Sequence, residues 1–279
     1  RKSESDLVLL LNPDTIIGEH VLKDAVGFMR THSDAGALGV RMLGANGKPA
    51  RESRRGLPSP MVAFYKMMGL CSRFPRHRSF GHYYMGYLPW DEPAPIEVVS
   101  GAFCMIRRVA LQKVGLLDED FFMYGEDIDL SYRILKGGYQ NYYLPVDILH
   151  YKGESTQKSS FRYVHVFYEA MLIFFRKHYS GMSHLLSIPI KFAIYARASV
   201  ALTQMMTTRI RKSLGFFSPS HVDLSDYVLF DADEMSYEEI LHQLVLRSDE
   251  NIKLATFTKD IGKVITDRDV MDKDEFGYL

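Results

Sequence analysis

The chain contains 279 residues, 47% of them hydrophobic, and its 34 basic and 34 acidic side chains give a formal net charge of zero. Balanced charge without a basic stripe excludes a dedicated nucleic-acid-binding protein. The two cysteines, Cys71 and Cys104, are too few for a disulfide framework or a zinc site, so a cytoplasmic protein is the simplest interpretation. The length is enough for one large domain with a smaller appendage.

The first predicted element is a strand that ends in polar residues. The apolar run Leu-Val-Leu-Leu-Leu begins at residue 7 and is followed by Asn12-Pro13-Asp14. Pro13 ends the strand, which leaves Asn12 and Asp14 at its carboxyl end, where ligands bind in open α/β sheets. Their side-chain oxygens suit Mg²⁺ or Mn²⁺ with a diphosphate. The alternative is an Asx turn that caps a helix beginning at Thr15.

Two polar segments follow. Arg51, Arg54 and Arg55 form a cluster whose guanidinium groups suit phosphate oxygens, and the alternative is a solvated loop. Residues 74–95 are rich in Arg, His, Tyr, Gly and Pro and lack periodicity, which predicts a long irregular loop of the kind that forms lids or binding sites. Trp90, the only tryptophan, would stack on an acceptor sugar or lipid headgroup, or else anchor this loop.

Residues 98–108 predict a buried strand that is entered through a turn of small residues, Ser100-Gly101-Ala102. Glycine and alanine at this turn would let the backbone approach a substrate closely.

Residues 121–133, Phe-Phe-Met-Tyr-Gly-Glu-Asp-Ile-Asp-Leu-Ser-Tyr-Arg, are the most informative part of the chain. Apolar spacing from Asp127 and the stop at Gly137-Gly138 predict a helix of about ten residues. Glu126 and Asp127 stand at its N-terminal turn, where free amides and the helix dipole favour negative charge. Capping alone explains one acid, and we interpret the pair as holding a carboxylate toward a cleft.

Another buried strand is predicted to end at His150. A single histidine after a strand is commonly a hydrogen-bonded structural residue, so its function depends on what lies beside it.

The next segments predict helices. Residues 161–177 have a core stripe, and residues 185–206 have a broad apolar face followed by a basic run at 209–212. This combination is typical of a helix lying in a membrane interface. The alternative is a helix packed on a missing part of the catalytic domain or on a second subunit. Lys191 and Arg197 interrupt the run, so it falls short of the ~18 uncharged residues of a spanning helix.

A break at residues 216–220 leads to a different pattern: a strand at 227–230, a helix at 237–246 and a second strand at 252–256. These elements predict a small β-α-β appendage.

Four motifs occur in a recognisable order: Asn12-Pro13-Asp14, residues 100–103, residues 125–130 and residues 150–155. That order resembles the nucleotide-sugar glycosyltransferases of family 2, which have the GT-A fold, and most closely their rhamnosyltransferase-like branch. The resemblance covers about residues 6–180.

The resemblance implies roles for individual residues. Asp14 matches the last carboxylate of the family's metal-binding Asp-x-Asp, and Asn12 takes the place of its first Asp. Asp127 matches the catalytic base, with Glu126 beside it. His150 matches the histidine that completes the metal shell around Mg²⁺ or Mn²⁺. The expected donor- and acceptor-binding residues are Asn12, Arg54, Arg55, Trp90, Ser100, Gly101 and Ala102.

The implied fold is α/β, with a GT-A-type mixed sheet flanked by helices. We expect a catalytic part at 1–180, an amphipathic helical segment at 181–219 and a small α/β appendage at 220–279. The family has a nucleotide-binding half before the metal motif, and nothing in this sequence resembles it. We therefore expect the chain to start inside a catalytic domain and to be inactive by itself if that half is required.

The expected function is inverting transfer of a hexosyl or rhamnosyl group from a nucleotide diphosphate sugar to a hydroxyl of a surface glycan or lipid-linked acceptor, in the cytoplasm or on the inner face of the cell membrane. The alternative is a non-catalytic glycan- or partner-binding fragment derived from such an enzyme. A nucleotidyltransferase would also use paired acids and Mg²⁺, but it would require a glycine-rich phosphate loop that the sequence lacks.

Overall fold

Six strands form a central mixed sheet in the computed structural model, which describes residues 4–151, 161–179, 227–250, 252–267 and 269–277 and the single positions 203, 206 and 207. The strands are β1 (Leu7–Leu11), β2 (Thr15–Ile17), β3 (Ala35–Leu43), β4 (Ala94–Ile96), β5 (Phe103–Arg107) and β6 (Gln140–His150). Their order is β1-β5-β3-β6-β2, and β4 also pairs with β6. β3 and β6 are parallel, whereas the other pairings are antiparallel. The predicted mixed sheet is therefore confirmed.

The structure contains the two helices that the sequence predicts before residue 180, one beginning near Asp127 and one at residues 161–177. They are α1 (Val21–Thr31), α2 (Pro60–Met67), α3 (Leu70–Arg73), α4 (Arg108–Val114), α5 (Glu126–Lys136), α6 (Phe161–His178), α7 (Tyr237–Leu246) and α8 (Lys273–Gly277). The predicted helix at 185–206 and the basic run at 209–212 lie outside the described residues, apart from the single positions above. Among the helices that the structure describes, none has both the length and the hydrophobicity needed to cross a membrane.

Hydrophobic clusters cover both faces of the central sheet. Phe103 packs in one cluster with Met29 of α1, whereas the next residue, Cys104, packs in another with Ile134 of α5. This period of two is that of a strand buried on both faces. β1 differs from the buried strand that its apolar run predicts, because β5 is its only partner among the described strands and Leu11 is 41% exposed.

The chain divides into two compact units. The described residues within Arg1–Leu117, Asp127–Lys152 and Leu224–Leu279 form the first, and those within Asp118–Glu126 and Gly153–Asp223 form the second. In the second unit, the amino group of Lys177 on α6 lies 2.5 Å from carboxylate oxygens of both Asp118 and Asp120. The boundaries expected at residues 180 and 220 stay predictions.

The C-terminal residues form a second sheet, which belongs to the first unit. Its strands are β7 (Tyr227–Asp231), β8 (Lys253–Thr258), β9 (Lys263–Ile265) and β10 (Val270–Asp272), in the order β10-β9-β8-β7. The β-α-β pattern of β7, α7 and β8 is confirmed, whereas β9 and β10 are too short for a periodic signal. Leu244 of α7 shares a hydrophobic cluster with Leu43 and Leu149, near the carboxyl ends of β3 and β6.

A glycine in the turn after β3 permits this packing. Gly47 has a φ of +70°, and a Cβ atom there would lie 2.4 Å from the carbonyl oxygen of Leu244. In the same turn, the carbonyl oxygen of Ala45 accepts the Leu254 N–H at 2.8 Å.

Gly47→Ala is expected to lower the free energy of unfolding by about 2 kcal/mol or more, because the methyl group meets backbone as well as an unfavourable φ. Chemical denaturation measures the loss. Gly69→Ala is the matched control, since Gly69 has a φ of +74° with nothing within 4 Å of an added Cβ. Equal losses in the two variants would contradict a specific role for the contact between Gly47 and α7.

Candidate active site

The turn after β1 brings Asn12 and Asp14 beside the end of β6. The Asn12 N–H donates to the carbonyl oxygen of Ala102 at 3.0 Å, and the Thr15 hydroxyl donates to the carbonyl oxygen of Asn12 at 2.7 Å. Strand β2 begins at Thr15, so the alternative of a helix there is wrong. Thr15 pairs with His150 in the register of β2 and β6, which sets Asp14 next to the imidazole.

Asn12, Asp14 and His150 form a compact polar group. Oδ1 of Asp14 lies 3.3 Å from Nε2 of His150, and Nδ2 of Asn12 lies 3.4 Å from the same nitrogen. The His150 side chain is 13% exposed and that of Asp14 is 39% exposed, so the carboxylate opens to solvent.

This group fits a divalent ion as a partial set of ligands. Two ligand atoms of one small divalent ion lie about 3 Å apart, and hard oxygen with imidazole nitrogen suits Mg²⁺ or Mn²⁺. Within the described residues, no group of three or more His, Cys, Asp or Glu side chains is arranged to hold a metal ion.

Asp127 lies near the start of α5 and faces the turn of residues 100–102. Oδ1 accepts the N–H of Ile128 at 2.8 Å, and Oδ2 accepts the N–H of Gly101 at 3.4 Å. One oxygen thus binds a helix amide, as capping predicts, while the other faces the turn. Glu126 is the first residue of α5.

Only part of the apolar stretch before α5, residues 121–123, is buried. Phe121 is buried, but Phe122 is 86% exposed and Met123 is 43% exposed. Gly125 has a φ of +89°, and its missing side chain makes room for the Phe121 ring. Only the first residue of the apolar stretch therefore anchors the turn.

Arg55 forms a buried ion pair with Asp127. Its Nη2 donates to Oδ2 of Asp127, and its side chain is only 12% exposed. Burial by itself would lower the pKa of Arg55, but the charge and hydrogen bond of Asp127 outweigh it and raise that pKa above the ordinary value. The Arg55 carbonyl oxygen also accepts the N–H groups of Glu97 and Val98. The solvated-loop alternative is wrong for Arg55.

The 100–102 turn separates the two polar groups. It meets Asn12 through Ala102 and Asp127 through Gly101. The Ser100 hydroxyl accepts the Ala102 N–H at 3.4 Å. A Cβ atom on Gly101 would lie 3.8 Å from Cβ of Asp127, an ordinary contact, so packing within the protein does not require glycine here. The missing side chain leaves space beside the Asp127 carboxylate.

Arg54 and Trp90 lie together and contact the loop at residues 88–90. Nη1 of Arg54 donates to the carbonyl oxygens of Leu88 and Pro89, and its guanidinium carbon lies 3.6 Å from the centre of the Trp90 ring. The Tyr143 hydroxyl donates to the Trp90 carbonyl oxygen at 2.8 Å. Trp90 therefore anchors its loop, and Arg54, 2% exposed, does not lie in a solvated loop.

Two residues near the site have no sequence signal because they lie beside or within the irregular segment at 74–95. Tyr83 contacts Arg55, and burial raises the pKa of its hydroxyl. Glu97 accepts hydrogen bonds from the Leu57 N–H and from Nε2 of His82, the latter at 2.9 Å. These bonds fasten the loop to the segment that carries Arg55.

Arg55→Met and Asp127→Asn are each expected to lower the free energy of unfolding by about 2 kcal/mol, because each leaves a largely buried polar partner without its ion pair. The double variant should lose less than the sum. Urea denaturation of the four proteins gives the coupling energy. The control cycle pairs Asp127→Asn with Arg54→Met, whose described bonds go to Leu88 and Pro89, and should be additive. Coupling near zero in the first cycle would contradict the pair.

Known proteins share this sequence pattern. A family described as "Glycosyl transferase family group 2" matches residues 7–230. Proteins of two Mycobacterium tuberculosis strains, both named N-acetylglucosaminyl-diphospho-decaprenol L-rhamnosyltransferase, are 29% identical over 212 residues, which cover 75% of this chain and 66% of each relative. The low-salt glycan biosynthesis hexosyltransferase Agl10 of Haloferax volcanii is 26% identical over 126 residues, covering 45% of this chain and 36% of the relative. The chain thus spans just under two thirds of the length of the mycobacterial relatives.

Proposed function

The chain belongs to glycosyl transferase family group 2, with a mixed α/β sheet of the GT-A type, and we propose that it is an inverting transferase. It moves a hexosyl or rhamnosyl group from a nucleotide diphosphate sugar to a hydroxyl of a surface glycan or lipid-linked acceptor. The observation that carries this proposal is the Asp127 carboxylate on one side of the 100–102 turn, with Asp14 and His150 on the other. An inverting transfer needs both a base at the acceptor hydroxyl and positive charge at the departing diphosphate.

Asp127 is the proposed base. It takes the proton of the acceptor hydroxyl while that oxygen bonds to the anomeric carbon and the bond from this carbon to the diphosphate breaks. Arg55 and the Gly101 N–H hold Oδ2 of this carboxylate, and the Ile128 N–H holds Oδ1, so three donors fix its position. Glu126, the adjacent acid, is the second candidate for this role.

Asp14 and His150 are the proposed holders of Mg²⁺ or Mn²⁺, with Asn12 beside them. When bound, such an ion supplies positive charge to the diphosphate leaving group. Asn12 is neutral where a second carboxylate would add charge, so the site should bind the ion weakly until a diphosphate contributes its own oxygens.

The 100–102 turn is the proposed contact for the reacting sugars. Ser100, Gly101 and Ala102 present small side chains between the two polar groups, and Asn12 borders the donor side. A close backbone approach of this kind suits a sugar ring that must reach both Asp127 and the diphosphate site.

The proposed acceptor is lipid-linked. The mycobacterial relatives are named for a diphospho-decaprenol compound, which supports an acceptor of that kind for this chain. The sequence adds the apolar stretch at 185–206 and the basic run at 209–212, a combination that favours a membrane surface. The proposed location is the cytoplasm or the inner face of the cell membrane.

Asp127→Asn should lower kcat about 100-fold or more and leave KM for the donor nearly unchanged, because a base acts on the transition state. Transfer from a panel of nucleotide diphosphate sugars to a short lipid-diphosphate-linked N-acetylglucosamine measures this. Glu126→Gln is the matched control, since it removes the same charge one residue away.

A loss in Glu126→Gln with normal activity in Asp127→Asn would move the base to Glu126. Donor and acceptor binding without transfer or donor hydrolysis across the whole panel would instead favour the non-catalytic alternative.

His150→Ala should weaken Mn²⁺ binding in the presence of a nucleoside diphosphate about tenfold or more, because it removes one of two protein ligands. Calorimetric titration measures this. His20→Ala is the control, since its side chain is 63% exposed and pairs with Glu238 instead. Equal Mn²⁺ affinity in wild type and His150→Ala would exclude His150 from the ion shell.

A further inference from the structure

A cavity of about 210 Å³ lies beside the segment that carries Arg55. We call it the arginine pocket, and its lining residues are Arg51, Arg54, Cys71, Pro75, Arg76, Gly81, Tyr84, Gly86 and Trp90. The lining residues include three arginines and no acidic residue. A concave site with this charge selects an anion, and guanidinium groups favour phosphate oxygens in particular.

Arg54 gives the pocket a buried cation. It is 2% exposed, and within the described residues its Nε has no hydrogen-bond partner. Two carbonyl oxygens and the Trp90 ring compensate part of the cost of burying this charge, and burial still lowers the pKa of Arg54. A buried donor left without a partner is costly, so an anion that reaches it would be stabilised.

The other polar residues are suited to the same anion. Arg51 and Arg76 are exposed, so they can turn toward a ligand. Burial, and then nearby charges including Glu52, raise the pKa of Tyr84 well above its ordinary value. The Tyr84 hydroxyl therefore stays protonated and can donate a hydrogen bond.

The far wall of the pocket is built before any ligand arrives. A Cβ atom on Gly81 would lie 1.9 Å from the carbonyl oxygen of Pro75, and one on Gly86 would lie 2.5 Å from the same oxygen. The Gly81 N–H also donates to the carbonyl oxygen of His77 at 2.7 Å. Only glycine allows this close approach, and a preformed wall reduces the entropy lost on binding.

Two pairs of consecutive residues connect the pocket to Asp127. Arg54 has extended backbone angles, so its side chain and that of Arg55 point to opposite sides of the chain. Arg54 lines the pocket and Arg55 binds Asp127, while Tyr84 lines the pocket and Tyr83 contacts Arg55. A ligand in the pocket would therefore contact residues that directly neighbour the two that contact one another beside Asp127, from the opposite side of the chain.

We infer that the arginine pocket binds the phosphate or diphosphate group of the acceptor. This inference rests on the proposed sugar transfer, because the transfer defines which substrate carries the attacking hydroxyl. The donor also contains a diphosphate, but its proposed position is beside Asp14 and His150.

The test changes the two exposed arginines together, Arg51→Gln with Arg76→Gln. Binding of geranyl diphosphate to the purified protein, measured by calorimetry in EDTA, should weaken about tenfold or more, because two charge-assisted contacts are lost. The matched control is Arg73→Gln with Arg78→Gln, which removes the same charge from exposed positions on either side of Arg76 that do not line the pocket. Unchanged binding in the first variant, or equal losses in both, would overturn the inference.

Transfer kinetics separate the two sources of the phosphate. In the first variant, KM for a lipid-diphosphate-linked acceptor should rise about tenfold or more, while KM for the donor stays within twofold. A rise in the donor KM alone would assign the pocket to the donor and overturn the inference. Absence of transfer in every protein would contradict the proposed function, but the geranyl diphosphate titration would still decide whether the pocket binds a lipid diphosphate.

Discussion

Hydrogen bonding along β6 holds the candidate site together. This strand of eleven residues, Gln140–His150, pairs in parallel with β3, and it pairs antiparallel with β4 near its start and with β2 at its end. Its last residue thereby meets the turn that carries Asn12 and Asp14. Arg41 of β3 forms two hydrogen bonds to the carboxylate of Asp147, its partner in register, at 2.5 and 2.9 Å. Side chains thus reinforce the register that the backbone sets.

Packing around the end of β6 adds to this constraint. Tyr151 follows His150 directly and is buried in the cluster that contains Leu244 of α7 and Leu254 of β8. The Tyr151 N–H donates to the carbonyl oxygen of Asp14 at 2.9 Å. Packing of Tyr151 against the C-terminal residues therefore stabilises the backbone beside the Asp14 and His150 pair.

Two adjacent arginines are buried for different physical reasons. Arg55 is balanced by a carboxylate, which neutralises its charge and fixes Asp127 at the same time. Arg54 is stabilised by carbonyl oxygens and an aromatic face, and although the nearby charge of Asp91 also favours the cation, burial still lowers the pKa of Arg54. Extended backbone at Arg54 turns the two guanidinium groups in opposite directions. Arg55 therefore neutralises Asp127, whereas Arg54 remains available to bind an anion.

The sequence by itself determined the elements and the residue types of the site. Apolar periodicity and glycine stops predicted α5, α6 and the β-α-β appendage, and the motif order predicted the family. The apolar runs also predicted the location of Asn12, Asp14 and His150. An apolar run of strand length that stops at a polar residue is typical of a buried strand that reaches solvent, so these side chains were expected at the edge of the sheet.

The tertiary structure decided which residues lie next to these side chains. The partner of Asp127 is Arg55, 72 residues away. The side chains of Arg54 and Arg55 point in different directions, and Tyr83 contacts Arg55. Both features depend on loop conformation and burial, which leave no periodic pattern in the sequence.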